Sequence, residues 1–599
     1  MSKKLDEKFS KLDSSAQELL KLRHTSEHVL HTAMQNLFPD LKKAMGPATD
    51  EGFYFDFDLD QKISEDLFPE IEKEMQKIIN TKAKMVQENI TPEAAKKLFS
   101  KNPYKLEWLS DIQKRGESVS IFRMIDPSGD EIDVDLCSGP HLDSVDQIKA
   151  FKLLSVAGAY WHGDEKNKML TRIYGTGWPS QQELDSFLKR LDEAQKRDHR
   201  KLGKILDLFT FSDLVGSGFP LYTPKGALIR RLINNYVEEV QSRQDYQQVW
   251  TPQVAKAELF KTSGHYEKYK DDMFRVFSHY SEEEFYLKPM NCPQHTQIYN
   301  SRPRSYRDLP LRYTDFAMLY RDEKPGELSG LARVRSFSQD DCHIFCREDQ
   351  VDVEIDKALS MTKEIMATFG FSYRYRLSTR DPANLEKYLG HPEIWDKVEA
   401  WAEVIMKRNH IDYYPGPGEA AFYAPKMDLM ATDALGREWQ LSTVQIDYVM
   451  PERFKLEYTD SDGTKKQPIM LHRAIVGSPE RFMMILIEHF AGAFPTWLSP
   501  VQAIVIPISD KHLDYANGLY DQLKKQSIRV ELNDKNEPLN ARIRDAEMQK
   551  IPYILVVGDR EAEQNTVSVR SRSQKGQNVV PVPEFIEKIK NEIFNKALA

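Results

Sequence analysis

The sequence predicts an α+β protein of several domains, on three observations. Between Arg312 and Cys346 two alternating segments flank a loop from Lys324 to Gly330, the pattern of a hairpin of two strands. From Ser499 onward, apolar runs such as VQAIVIPIS and YILVVGD alternate with helical patterns, which predicts a separate α/β domain. A chain of 599 residues is also long enough for several cores.

Composition narrows the class. Hydrophobic residues make up 40% and charged residues 29%, as in an ordinary globular protein. No apolar run approaches the roughly 20 residues of a membrane span, and the polar start MSKKLDEKFSKLDSSAQ has no signal-peptide segment. Four cysteines do not indicate a disulfide scaffold and suit a reducing cytoplasm. A net charge of −9 gives no global nucleic-acid signature, so an RNA partner would need local basic surfaces. Gly-rich P-loop and dinucleotide fingerprints are missing, which excludes those nucleotide sites.

The first helix is signalled by Ser15 and Glu18 at capping-box spacing. Leu19, Leu22, Ser26, Val29, Ala33 and Leu37 then form one stripe. His24 and His28 lie four apart on one face roughly opposite it. Cys137 and His141 in DVDLCSGPH are also four apart, on an expected loop, and the two pairs together carry the donor types of a zinc site. Residues 180–204 read as one exposed helix between domains, whose basic cluster from Lys196 to Lys204 is a solvated face or an RNA contact. A turn-rich entry leads to a helix from about Gly226 to Asp245, a strand from Gln247 to Val249, and then Thr251 and Pro252. SGHYEKYKDDMF brings His265, and KPMNCPQH brings Cys292 and His295.

In the hairpin, the first strand ends in Arg321 and Glu323. From Arg333 the odd positions put Arg333, Arg335, Phe337, Gln339, Asp341, His343 and Phe345 on one face. The spacing CHIFC suggests a local metal site, but Cys342 and Cys346 are even-numbered and face away from His343. Further strands follow in AAFYAPKMDL and WQLSTVQIDY, and a glycine-led turn opens an apolar helix carrying Arg481.

The pattern F-x-x-x-Y-R-D-E, a loop, and R-V-R-S-F-S-Q-D-D resembles motif 2 of class II aminoacyl-tRNA synthetases. With D-D-C-H-I-F-C, H-x-x-x-H, C-x-G-P-H and A-G-A-Y-W-H-G-D-E-K, the chain is similar to the bacterial-type threonyl-tRNA synthetase family. The resemblance implies an α/β editing domain over 1–178 with a short polar N-terminal extension, and a helical linker over 179–205. It implies a class II antiparallel sheet flanked by helices over 206–499 and an α/β anticodon-binding domain over 500–599. Most bacterial relatives carry a ubiquitin-like module before the editing domain, and this chain is expected to lack it. The helix, strand and proline ending at Pro252 resemble motif 1, which implies a homodimer. In the family Gly is more frequent where Gln294 stands here.

The same resemblance implies the chemistry. Threonine would be activated with ATP to threonyl adenylate and passed to the 3′ end of tRNA(Thr), and mischarged seryl-tRNA would be hydrolysed at the editing site. Cys292, His343 and His472 are implied to hold one zinc ion per subunit, and magnesium to accompany ATP. Arg321, Glu323, Arg333, Lys426, Gln440 and Arg481 are implied to bind ATP, with Arg321, Arg481 and His265 catalytic. Gln339, Asp341, Tyr423, Gln445 and Ser478 would bind substrate. His24, His28, Asp135, Cys137 and His141 would form the editing site, in place of structural zinc. Asn536, Arg570 and Arg572 are expected anticodon contacts, as Arg and Asn suit base edges. A non-catalytic RNA-binding paralogue and another class II synthetase are the alternatives; none of the motif arginines or metal ligands that the first would have lost is missing.

Overall fold

The computed structural model describes residue 9 and residues 12–164, 166–574 and 576–598. The polar segment ahead of the first helix falls almost wholly outside the described residues. The chain divides into two compact units, Met1–Asp192 and Glu193–Ala599, with the division inside the helix Gln181–Arg197.

In the first unit the helix Ser14–Leu37 starts from Asp13, whose side chain accepts from the Ala16 N–H, and not from the expected Ser15. Asp13 lies two residues earlier, and a carboxylate is favoured at the positive end of the helix dipole. Every residue from Leu22 to Met34 is buried, so this helix runs through the interior. Leu22, Val29 and Ala33 pack with Phe53, Phe55, Ile71 and Met75. The expected α/β content takes the form of two antiparallel sheets. One joins Lys42–Lys43, Phe53–Asp58, Met169–Trp178 and Ala150–Tyr160, and the other joins Lys84–Asn89, Ser120–Ile125 and Glu131–Leu136.

The single helix expected over 180–204 is two helices, Gln181–Arg197 and His199–Ile205. Asp198 breaks it, because its side chain caps the second helix by accepting from the Arg200 N–H at 2.8 Å. Its basic cluster is partly turned inward: Arg197 donates to the Glu488 and His489 carbonyls.

The second unit is built on an eight-stranded sheet. In spatial order its strands are Gln247–Gln248, Leu311–Tyr320, Ser336–Cys346, Ile469–Ala474, Glu438–Asp447, Lys426–Thr432, Ser372–Thr379 and Tyr413–Pro417. Only the two edge pairings are parallel. The hairpin strands pair Tyr313 with His343 and Asp315 with Asp341. Its loop is longer than expected: Arg333 and Arg335 belong to it, and the alternation of faces begins at Ser336. Tertiary bonds bend that segment away from a strand, with Arg335 Nε donating to the Glu323 carbonyl and its N–H to the Gly218 carbonyl. Cys342, Ile344 and Cys346 then enter the main core, while Phe345 joins Cys292 and Tyr423 in a smaller cluster. The helices Pro224–Ser242, Val351–Phe369 and Pro479–His489 feed the main core, where fully buried Phe482 meets the Phe369 ring edge-on at 4.9 Å.

A five-stranded sheet follows, in the order Val530–Leu532, Ala503–Pro507, Tyr553–Val557, Thr566–Ser571 and Asn578–Pro581. Its first three strands are parallel and the rest antiparallel. Among the described residues no helix is long and apolar enough to cross a membrane.

The core dictates a measurable cost. Phe482→Ala removes a buried ring and should destabilise the second unit by about 3–5 kcal/mol. Urea denaturation of the full chain should show its midpoint shift to lower concentration; an unchanged midpoint would contradict this packing.

Candidate active site and a second cluster

One face of the eight-stranded sheet gathers most of the implied site residues. Cys292 opens the helix Cys292–Asn300, His343 lies in the third strand of the spatial order, and His472 lies opposite it in the fourth. All three are buried, and one potential ligand atom of each lies within 4.8 Å of the others. His343 Nε2 and His472 Nδ1 are 3.0 Å apart. Asp447 Oδ2 accepts from His472 Nε2 at 2.8 Å, which assigns the proton to Nε2 and leaves Nδ1 as the electron-pair donor. One thiol and two imidazoles so placed fit a metal ion. Cys342 and Cys346 take no part. The sequence reading left His295 unassigned, and its Nδ1 lies 2.7 Å from His343 Nδ1.

Beside the triad, Asp341 is buried and its Oδ2 accepts no hydrogen bond among the described residues. Burial, with Asp315 and Asp340 nearby, pushes this carboxyl up to about 8. Tyr423 donates to Gln445 Oε1 at 2.8 Å and places its ring 4.9 Å from the His472 ring. His265 is fully buried, with Nε2 3.7 Å from the Cys292 sulfur and Nδ1 2.8 Å from Ser263 Oγ.

A cavity of about 260 Å³ adjoins this pocket and is lined by Arg321, Glu323, Arg333, Gln339, Gln440, Ser478 and Arg481, among others. Neither Arg321 nor Arg481 has a carboxylate at ion-pair distance among the described residues. Arg321 rests on the Phe337 ring at 5.0 Å and near the Met290 sulfur. Arg481 donates to the Ala332 carbonyl at 3.2 Å. Burial lowers the pKa of both guanidinium groups, and at Arg481 the charges of Arg321 and Arg333 add to the effect. Such crowding of cations creates a field suited to a polyanion. Arg333 is held by Glu323 at 2.7 Å and Glu327 at 2.6 Å. Ser478 caps the Arg481 helix.

Lys426 and Gln440 are fixed by a hub that sequence reasoning missed. Buried Asp428 meets Lys426 Nζ at 3.1 Å, Gln440 Nε2 at 2.8 Å, Thr443 Oγ1 at 2.7 Å and Arg376 at 3.1 Å. The one available signal was that K-M-D and Q-L-S-T put Lys426 with Asp428 and Gln440 near Thr443 on paired strands.

A second cluster lies in the first unit. Cys137 Sγ is 3.4 Å from His24 Nε2 and 3.3 Å from His141 Nε2, and the His28 ring meets the His141 ring at 4.4 Å. Burial pushes the Cys137 thiol up to about 12, so it is a neutral thiol at ordinary pH, not a thiolate nucleophile. Asp135 stands behind the tetrad, paired with buried Lys105 at 2.8 Å. Lys105, Glu27 and His31 escaped the sequence reading. Glu27 sits 3.8 Å from both His24 and His28, and His31 lies 3.3 Å from Asp133. His31 follows His28 by three residues and was legible in the helical spacing, whereas Lys105 comes from another helix with no sequence signal.

Of the expected anticodon contacts, Asn536 is exposed in the loop before the helix Leu539–Met548, and Arg570 is half-exposed. Arg572 is turned inward. It donates to the Lys550 carbonyl at 2.5 Å and the Phe494 carbonyl at 2.6 Å, so it ties the five-stranded domain to the segment before it.

Comparison with known proteins agrees with this arrangement. The sequence model of the class II tRNA synthetase core domain (G, H, P, S and T) matches residues 274–490. An anticodon binding domain matches residues 502–592, and the threonyl and alanyl tRNA synthetase second additional domain matches residues 120–174. Fold and site thus define a class II aminoacyl-tRNA synthetase. The threonine–tRNA ligase of Rubrobacter xylanophilus is 49% identical over 97% of this chain and 90% of its own length. That of Gloeobacter violaceus is 46% identical over 97% of this chain and 94% of its own. A solved RNA binding domain of threonyl-tRNA synthetase from Cryptosporidium parvum is 37% identical, with a TM-score of 0.63, over 66% of this chain and 98% of that one. The chain belongs to the threonine–tRNA ligase family: it is an aminoacyl-tRNA ligase that carries an editing domain.

The buried imidazoles make stability depend on pH. Burial holds His24, His28, His31 and His141 below the ordinary 6.5. Below about pH 6.5 the unfolded chain therefore binds protons that the folded one does not, and stability falls as pH falls. The melting temperature of the full chain should drop between about pH 7.5 and 5.5; one that rises across that window would contradict the burial.

Proposed function

We propose that the Cys292–His343–His472 triad holds zinc and, with the neighbouring cavity, selects threonine and activates it with ATP. The observation that carries this is a buried thiol–imidazole triad beside a carboxylate oxygen and two arginines that have no hydrogen-bond or ion-pair counterpart, respectively, among the described residues. Cys292, His343 and His472 would hold the zinc, which would supply a Lewis acid for the amino and hydroxyl groups of threonine, a pair of donors that valine lacks.

The protein's own groups do the rest by position and charge. Asp341 Oδ2 receives the substrate ammonium, and Gln339 the carboxylate region. Tyr423 and Gln445 wall the amino-acid pocket. Arg321 binds the α-phosphate and stabilises the charge that builds up as the threonine carboxylate attacks in line. Arg481 takes the γ-phosphate from the first turn of its helix, near Ser478. Glu323 and Arg333 hold the adenine and γ-phosphate ends, and Lys426 and Gln440, fixed by Asp428, face the nucleotide. Magnesium bound with ATP would supply positive charge for the leaving pyrophosphate. His265 assists proton transfer from the terminal ribose in the second step.

Serine has both ligating groups and lacks only a methyl group, worth roughly 1–3 kcal/mol, which is too little for fidelity. The His24–His28–Cys137–His141 cluster, with Asp135 behind it, therefore hydrolyses seryl-tRNA(Thr) by positioning water. The neutral thiol and imidazoles support that reading. Residues 1–178 form the editing domain and 179–205 the linker. The catalytic domain spans 206–499, and 500–599 bind the anticodon through Asn536 and Arg570. The enzyme acts in the cytoplasm as a homodimer that meets through the motif 1 segment ending at Pro252.

Metal analysis should return one zinc per chain, and Cys292→Ala should lose it. ATP–pyrophosphate exchange should run with threonine and serine and not with valine; exchange with valine at the threonine rate in a metal-free preparation would refute the mechanism. His24→Ala should slow seryl-tRNA(Thr) deacylation by about 100-fold or more while threonine-dependent exchange is unchanged; full deacylation in this variant would remove the editing assignment.

A further inference from the structure

We propose that His199 is a positioning residue for ATP, holding the loop that carries Ala332 and Arg333 against the helix of Arg481. The inference rests on the ATP reading of the cavity given above. His199 opens the helix His199–Ile205 and is 4% exposed, so it is no part of a solvated basic face. Its Nδ1 lies 2.7 Å from Glu488 Oε1, and its backbone N–H reaches the same oxygen at 3.2 Å. A carboxylate only accepts, so Nδ1 carries the proton and Nε2 is the acceptor. The Leu331 N–H donates to that Nε2 at 3.1 Å. Both ring nitrogens are thus used, joining segments 132 and 289 residues away.

The consequence lies one residue further on. The Ala332 carbonyl accepts from Arg481 Nε. Two consecutive loop residues are therefore pinned to the helix Pro479–His489, at its first turn directly by Arg481 and near its end by Glu488 through the imidazole. Arg333 follows at once and lines the cavity. Gly330 shows how tightly the ring is seated: its φ is +47°, and a Cβ there would stand 2.1 Å from His199 Nε2. Glu488 is itself braced by Arg437. Burial opposes its charge, but the bonds from His199 and Arg437 prevail and hold the carboxyl below its ordinary range. His199 does not line the cavity, so its action passes through the loop.

The test compares His199→Ala, His199→Gln and Arg481→Ala in ATP–pyrophosphate exchange with threonine, alongside melting temperature. His199→Ala should raise KM for ATP about fivefold or more, the loss expected for one fixing hydrogen bond, with KM for threonine unchanged. In His199→Gln the carboxamide oxygen can still accept from Leu331, so KM for ATP should recover at least in part. A His199→Ala protein with a lower melting temperature and both KM values unchanged would overturn the inference, because a structural role alone moves stability. An Arg481→Ala protein with an unchanged KM for ATP would overturn the ATP reading, and the inference with it. If Arg481→Ala raises KM for ATP and His199→Ala does not, the reading stands and the inference alone falls.

Discussion

The site depends on one constraint, the alternation of side chains along the paired strands Ser336–Cys346 and Ile469–Ala474. Because His343 stands opposite His472, both imidazoles leave the same face of the sheet. Their strand neighbours Cys342, Ile344 and Leu471 point the other way into a packed core of helices, which locks the register. A slip of one residue would bury the imidazoles among the helices and expose the core to the cavity. The juxtaposition of His343 and His472 is therefore an outcome of the same pairing that closes the hydrophobic core.

Around the site the polar groups fall into two kinds. Glu480, Asp428, Glu488 and Asp447 are buried and well bonded, to Ser338, to Lys426 and Gln440, to His199, and to His472. These groups fix strands, loops and rings in place. Asp341 Oδ2 accepts no hydrogen bond, and Arg321 and Arg481 have no carboxylate at ion-pair distance, among the described residues. A polar group left without a partner beside a cavity costs free energy, so a fold that keeps several together retains them for a ligand. The satisfied groups make the scaffold stiff enough for the unsatisfied ones to stay aimed.

The first unit applies the same division to a helix. Ser14–Leu37 is buried through its middle, so its apolar stripe makes the core while His24 and His28 face a polar cluster with Cys137 and His141. Burial keeps the imidazoles and thiol of that cluster neutral, and the paired charges of Lys105 and Asp135 sit behind it. Side chains four apart can share such a cluster because one helical turn separates them.

The sequence by itself determined whatever depends on short-range spacing. The 3.6-residue period placed His24 and His28 on one face, the two-residue period separated His343 from Cys342 and Cys346, and the alternating runs after Ser499 announced the last domain. It also carried the family motifs that named Cys292, His343 and His472 as partners. Tertiary structure alone decided what depends on long-range contact: that Arg333 and Arg335 leave the strand, that Asp428 gathers Lys426 and Gln440, and that Arg572 turns inward. The breaks at Asp13 and Asp198 went the same way, since several residues nearby could cap a helix. The physical reason is that the period is a local property of the chain, whereas the partner of a buried charge, and the choice among several possible caps, is decided only when separate segments pack together.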